Sequence, residues 1–249
     1  MKISFRGALA ATLLAGSAFT AVPAFAQEAP EDLEVSANVS IVSDYRFRGI
    51  SFSGGDLAIQ GGIDLAHSSG LYIGTWASSL EEYVESDDAV TGYGSTELDV
   101  YAGWGGEFGG VGVDVGVLYY IYPDGVEGLD TDYWEPYASI STAAGPAEVT
   151  VGVAYAFEQE SLGDEDNLYV YGDVGIGIPS TPVSVSGHIG YTDGLFTLTD
   201  DGDAFDYSVG LSMTVLGSLD LGVSYVAVDG PSYDGFSDDT VVFSIGASF

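Results

Sequence analysis

Thr240-Val241-Val242-Phe243-Ser244-Ile245-Gly246-Ala247-Ser248-Phe249, the last ten residues, are the stretch that decides the fold. Side chains alternate along an extended strand with a period of two. Val241, Phe243, Ile245, Ala247 and Phe249 therefore share one face, and Thr240, Val242, Ser244, Gly246 and Ser248 share the other. One face is apolar and the other is mostly small or polar. In a sandwich the apolar face would point into a core. Here the same alternation recurs along the chain and the strand ends on an aromatic residue. That pattern predicts an all-β fold, a transmembrane up-and-down antiparallel barrel with apolar residues toward lipid and small or polar residues toward a lumen. Phe243, Ile245 and Phe249 then mark the barrel-closing terminal strand, of the form read by the barrel assembly machinery.

The other end of the chain carries a targeting pattern. Lys2 and Arg6 precede the apolar run Gly7 to Ala21, and Ala24-Phe25-Ala26 is a small-x-small site before Gln27, which reads as a signal peptide over residues 1–26. The run is shorter than the roughly 20 residues that span a bilayer and Pro23 breaks its end, against a retained anchor. Removing 26 residues from 249 leaves 223, in which no second apolar run of spanning length occurs. Membrane crossing is therefore expected to use strands, in the outer membrane of a Gram-negative bacterium.

Composition agrees, because 36 Gly, 17 Tyr and 12 Phe suit twisted, closely approaching strands. The absence of cysteine excludes disulfides and thiolate metal sites. After the signal, only Arg46 and Arg48 stand against 38 acids, a formal net charge of 2 − 38 = −36. So acidic a surface repels nucleic acid, which is excluded as a partner, and favours metal cations and cationic solutes.

Residues 27–34 are a short acidic lead and 35–249 the barrel. The first strand is expected from about Val35 to Arg48, with Val35, Ala37, Val39, Ile41, Tyr45 and Phe47 toward lipid. Asn38, Ser40, Asp44, Arg46 and Arg48 would share the inner face. Eleven more follow at 57–66, 71–78, 96–104, 111–122, 133–141, 147–157, 168–178, 183–192, 205–215, 219–226 and the terminal strand. The total of twelve is even, as single-chain bacterial barrels require. The facing of 71–78 is open, since Leu71, Ile73 and Ala77 or Tyr72 and Trp76 could meet lipid. Pro136 weakens the strand at 133–141, because it lacks a donor.

The connections alternate as an up-and-down barrel demands. Short ones at 67–70, 105–107, 142–146, 179–182 and 216–218 hold one acid, Glu107. Those at 80–94, 123–132, 158–166, 193–204 and 228–239 are longer and hold 22 acids. Only the first outer loop, near Gly49 to Gly55, is short and uncharged. Tyr45, Phe47, Tyr119, Tyr155, Phe157, Tyr191 and Tyr225 fall where odd-numbered strands end, and Trp134, Phe205 and Tyr207 where even-numbered ones begin. All would form an interfacial belt beside the long loops, with Trp104 and Phe249 at the opposite rim.

Ser43-Asp44-Tyr45-Arg46-Phe47-Arg48-Gly49-Ile50-Ser51 and Gly70-Leu71-Tyr72-Ile73-Gly74-Thr75-Trp76-Ala77-Ser78-Ser79, with the terminal strand, resemble the TorF family of proteobacterial porins, otherwise of unknown function. The resemblance implies an outer-membrane barrel and a pore. It implies no substrate and carries over no binding residue.

Ten inward acids, Asp44, Asp64, Glu97, Asp99, Asp114, Glu135, Glu148, Asp173, Asp206 and Asp220, are expected to line the pore with Arg46 and Arg48. In a water-filled lumen this excess predicts cation preference. The arginines either set a transverse field opposite Glu97, Asp99, Glu135 or Asp206, or neutralise Asp44 and other crowded carboxylates. Loop acids keep the outer surface solvated or share divalent cations with lipopolysaccharide phosphates. Residues 199–203 and 163–167 lack the spaced ligands and terminal Glu of a calcium loop, so no metal site is expected. Nor is a cofactor or a catalytic residue: His67 lies in a predicted turn, and His188 faces the lumen near Ser184 and Ser186 as an interior hydrogen-bonded side chain. The composite expectation is a passive diffusion channel for small solutes. The alternative is a non-conducting structural or adhesion barrel, plugged by inward Tyr101, Tyr120, Tyr122, Tyr169 and Tyr171, because twelve strands lie between a filled and an open interior.

Overall fold

The computed structural model describes residues 32–81, 93–126, 128 and 130–249. The signal peptide expected at 1–26, most of the acidic lead and most of the connection at 80–94 lie outside the described residues. The strands are β1 (Leu33–Val42), β2 (Arg46–Phe47), β3 (Ile50–Ser51), β4 (Ala58–His67), β5 (Leu71–Ser79), β6 (Thr96–Phe108), β7 (Val111–Ile121), β8 (Tyr133–Ala144), β9 (Ala147–Gln159), β10 (Glu165–Gly177), β11 (Val183–Gly194), β12 (Asp203–Val215), β13 (Leu219–Val228) and β14 (Thr240–Ser248). Twelve of them close an antiparallel barrel in sequence order, while β2 and β3 form a separate hairpin.

The terminal strand closes the ring. Asn38 to Val42 of β1 pair with Ser248 to Ser244 of β14, and Phe249 exchanges backbone hydrogen bonds of 2.8 and 3.0 Å with Ala37. Closure leaves the barrel sheet without a free edge. Val35, Ile59, Ile63, Val209 and Phe243 are each about 60% exposed on the outer surface. In water that exterior would forfeit the roughly 25 cal/mol per Å² that burial yields, whereas acyl chains remove the penalty. The apolar face is thus the outside, and the small polar face is the inside.

Register settles the ambiguous strand. In β5, Leu71 and Ile73 point outward, while Tyr72 and Trp76 point inward. Pro136 sits opposite Val117, where the β8–β9 ladder has not yet begun, since its first pair is Tyr137 with Ala154. The missing rungs are replaced by the Gln159 amide, which accepts from the Trp134 N–H at 2.8 Å and donates to its carbonyl at 3.0 Å. Two turns lie further along than their glycines suggest. Gly105-Gly106-Glu107 belongs to β6 and the turn is Gly109-Gly110, and Thr142 to Ala144 extend β8 up to a turn at Gly145-Pro146.

The main correction concerns the first strand, which ends at Val42 rather than at Arg48. Val42 is already opposite Ala58, and the Ser43 hydroxyl accepts from the Phe243 N–H at 2.9 Å as the chain leaves the wall. Residues 43–57 then fold into the barrel. Tyr45 and Phe47, expected in the lipid belt, are 3% and 5% exposed inside it. Of the rest of the belt, Trp134, Tyr155, Phe157, Phe205, Tyr207 and Tyr225 are exposed on the outer surface, and Tyr119 and Tyr191 are half-exposed. Several of its tyrosines donate upward to loop carboxylates, Tyr155 to Asp166 and Tyr225 to Asp239, both at 2.6 Å. An apolar ring with a wet hydroxyl suits that level of a membrane.

Candidate functional site

The inward loop is organised by a two-residue hairpin. Arg46 pairs with Ser51 and Phe47 with Ile50 across Arg48-Gly49, whose φ angles are +50° and +83°. Two positive φ values define the hairpin turn that matches strand twist. Arg48 is therefore held in a conformation that side chains other than glycine seldom adopt, and the surrounding contacts must impose it. Gly49 has no alternative, since a Cβ there would lie 2.6 Å from the Val228 Cβ. Alternation continues through the hairpin, so its aromatics pack against the wall. Tyr45 meets Phe52 and Trp76 edge-on, and Phe47 meets Tyr120 and Phe196. Backbone bonds fasten the loop to its neighbours, from Ser51 to the Phe236 carbonyl at 2.7 Å and from Glu81 to the Phe52 carbonyl at 3.0 Å.

Both arginines hold this loop in place. Arg46 pairs with Asp44 at 2.5 Å and Asp238 at 3.2 Å and donates to the carbonyls of Gly49, Phe236 and Asp238. Asp44 also accepts from the hydroxyls of Ser51 and Ser53. Arg48 reaches the wall at Glu135, 2.7 Å away with both side chains 1% exposed. Its guanidinium carbon lies 4.2, 4.6 and 5.8 Å from the ring centres of Tyr169, Phe47 and Phe196. An arginine is suited to such a site, because its planar cation stacks on aromatic faces and stays charged when buried.

The other inward acids divide by height. Glu97 accepts from Tyr45 at 2.7 Å and Tyr122 at 3.1 Å, and Asp99 is buried beside it with Oδ1 lacking a hydrogen-bond partner among the described residues. Asp173 and Asp206 flank His188. Nearer the rim of the short turns, Asp64 takes the Tyr101 hydroxyl, Asp114 that of Tyr72 at 2.9 Å, and Asp220 that of Thr214 at 2.6 Å. Glu148 is exposed at that rim. Asp44, Arg46, Arg48, Glu97, Asp99 and Glu135 are thus brought together around the inner loop, whereas Asp64, Asp114, Glu148 and Asp220 are not.

The inward tyrosines do not share one role. Tyr120, Tyr122 and Tyr133 are buried against the inner loop. Tyr101, Tyr72, Tyr137 and Tyr171 instead lie along the wall over the glycines opposite them in register, Gly74, Gly103, Gly116 and Gly152. A Cβ on any of those four glycines would come within 2.6 Å of the tyrosine ring or hydroxyl. Glycine opposite tyrosine lets a large ring lie flat against the wall. On the remaining wall, β10 to β14 and β1, the inward positions of the periplasmic half are mostly Gly and Ser: Gly175, Ser184, Ser186, Ser212, Gly222, Ser244, Gly246 and Ser36.

Above the loop is a vestibule of about 610 Å³, walled by Phe47, Phe52, Tyr93, Phe196 and Phe236 with Glu81 and Asp234. Burial, reinforced by the Glu97 charge, pushes the Tyr93 hydroxyl up to about 12. Phe196, Phe236 and Asp238 are parts of this region that the sequence reading did not single out. One signal was present: the stretch Gly49 to Gly55 holds none of the acids that the other outer loops carry.

Solved structures of similar fold are outer-membrane proteins. The NanC porin superposes with a TM-score of 0.56 at 12% identity, covering 87% of this chain and 99% of that one. An outer membrane channel from Pseudomonas putida F1 gives 0.52 at 10% identity, covering 88% and 96%. At such identities the likeness establishes the barrel. No curated protein matches the sequence. A family model described as bacterial protein of unknown function (Gcw_chp) matches residues 26–249, and the chain belongs to that family.

Proposed function

We propose that the chain is a porin-like outer-membrane channel, a passive path for small solutes narrowed on its extracellular side by residues 43–57. The observation that carries this reading is the lumen itself. Below the loop the inner wall carries Gly and Ser on one side and tyrosines lying over glycines on the other, where stability alone would favour apolar side chains meeting across the barrel. Cation preference follows from the charge count. Of the ten inward acids, Asp44 and Glu135 are matched by the two arginines, while the other eight have no arginine partner among the described residues. The resemblance of residues 43–51 and 70–79 to TorF porins supports the same reading. The acidic outer loops would meet lipopolysaccharide through shared divalent cations, and the assembly machinery would read the strand ending at Phe249.

Single-channel recording in planar bilayers is the test. Discrete conductance steps, with a reversal potential in a KCl gradient on the cation side, are expected. A chain that inserts and folds but passes no current would leave the second reading, a structural barrel, which the tight pairing of Arg46 and Arg48 across the extracellular half favours.

A further inference from the structure

One ionisable cluster is used by neither arginine. His188 on β11 places Nδ1 2.6 Å from Asp173 Oδ1 on β10 and Nε2 3.0 Å from Asp206 Oδ1 on β12. The Tyr169 hydroxyl lies 2.8 Å from Nε2 and 3.2 Å from Asp206 Oδ1. The imidazole also stacks against the rings of Tyr169 and Tyr171. Asp206 is 5% exposed, and its Oδ2 has no hydrogen-bond partner among the described residues. Arg48 lies over the Tyr169 ring but gives Nη2 to Glu135 instead.

A neutral imidazole carries one N–H. With that hydrogen on Nδ1, the lone pair of Nε2 faces Asp206 at 3.0 Å, and Tyr169 must serve both acceptors with one hydrogen. With it on Nε2, the bare Nδ1 faces Asp173 at 2.6 Å. The imidazolium donates to both carboxylates and frees Tyr169 to donate to Asp206. A counter-charge stabilises a buried carboxylate, and His188 is within reach of Asp206.

We propose that His188 is a third fixed cation of the lumen and a selectivity-determining residue for the channel. Resting on the channel reading, the proposal assigns it the role of cancelling part of the field of Asp173 and Asp206, so that cation preference is lower than the carboxylates alone would set. Loss of the proton would raise that preference. The groups facing the imidazole are Asp173, Tyr169 and Tyr171 from β10 and Asp206 from β12. Arg48 lies behind Tyr169, and Tyr137 of β8 packs against the pair Tyr169 and Tyr171.

Two measurements decide it. In protein labelled with ¹⁵N-histidine and folded in detergent micelles, with resonances assigned through His67→Gln, both ring nitrogens of His188 should carry protons at neutral pH. A bare ring nitrogen would overturn the charge assignment. In planar bilayers His188→Gln should raise the K⁺/Cl⁻ permeability ratio roughly fivefold, since one unit charge across about 8 Å of water shifts each ion about twofold and in opposite directions. His188→Lys should retain the original ratio. Should His188→Gln fail to fold, Asp206→Asn removes a negative charge from the same place and should shift the ratio the opposite way. A ratio unmoved by the variants that fold would overturn the selectivity role. A wild-type barrel without conductance would remove the channel reading and that role together, while the spectrum would still decide the charge.

Discussion

The two ends of this lumen are built from different materials. Toward the extracellular side, the wall meets a folded-in loop and the space is packed with Tyr45, Phe47, Tyr120, Tyr122 and Tyr133 around buried ion pairs. Toward the periplasm the tyrosines lie flat over glycines, and the opposite wall carries Gly and Ser. The difference shows how a twelve-strand barrel can gather its packing at one level. Packing energy and charge pairing are gathered at one level by fifteen residues, 43–57, and the remaining height is left to a hydrogen-bonded wall. On the channel reading, narrowness is then a property of the loop rather than of the strand count.

The strongest way to break the comparison is to remove the loop. Val42 and Ala58 are already partners across β1 and β4, so Asn-Gly in place of residues 43–57 would close the hairpin with an ordinary turn. Single-channel conductance should rise several-fold, because the extracellular half would then resemble the periplasmic half. Unchanged conductance in a barrel that still folds would show that the narrowing lies elsewhere.

A smaller effect should come from uncoupling the loop from the wall. Glu135→Gln leaves Arg48 stacked on three rings with no counter-charge, at a site where it is almost wholly buried. Breaking a buried pair from one side costs about 3–5 kcal/mol, measurable as a lower urea midpoint of unfolding in detergent. Replacing both partners, Arg48→Met with Glu135→Gln, should recover most of the loss. A single variant as stable as the wild type would mean that the pair is ornamental.

These regions were not equally legible in the sequence. Period-two alternation reports which face meets a different solvent, so the wall and its twelve strands could be read from residue spacing. The inner hairpin alternates as well, and Asp44 to Arg48 therefore looked like the top of β1. What distinguishes it is the positive φ at Arg48 and Gly49 and a contact nearly two hundred residues away, Arg46 with Asp238, and neither leaves a local pattern. The pairing of tyrosine with glycine was hidden for a related reason. Gly103 and Gly152 acquire meaning only once register places Tyr72 and Tyr171 opposite them.

That pairing supplies the finest contrast, between two inward glycines on adjacent strands. At Gly152 of β9 a Cβ would lie 2.3 Å from Tyr171 Cζ, whereas at Gly175 of β10 nothing stands within 4 Å. Gly152→Ala must push the ring off the wall, at a cost of about 1–3 kcal/mol for overpacking, and toward the axis, so stability and conductance should fall together. Gly175→Ala meets open space and gives up only the unfolded-state freedom of glycine, so it should stabilise the barrel by about 0.5–1 kcal/mol and leave conductance unchanged. The same one-methyl change thus carries opposite signs two turns of the pleat apart. Urea unfolding of the two variants, followed by tryptophan fluorescence, reads those signs directly. Equal shifts would mean that Tyr171 does not rest on Gly152 and that the periplasmic half is not kept hollow in this way.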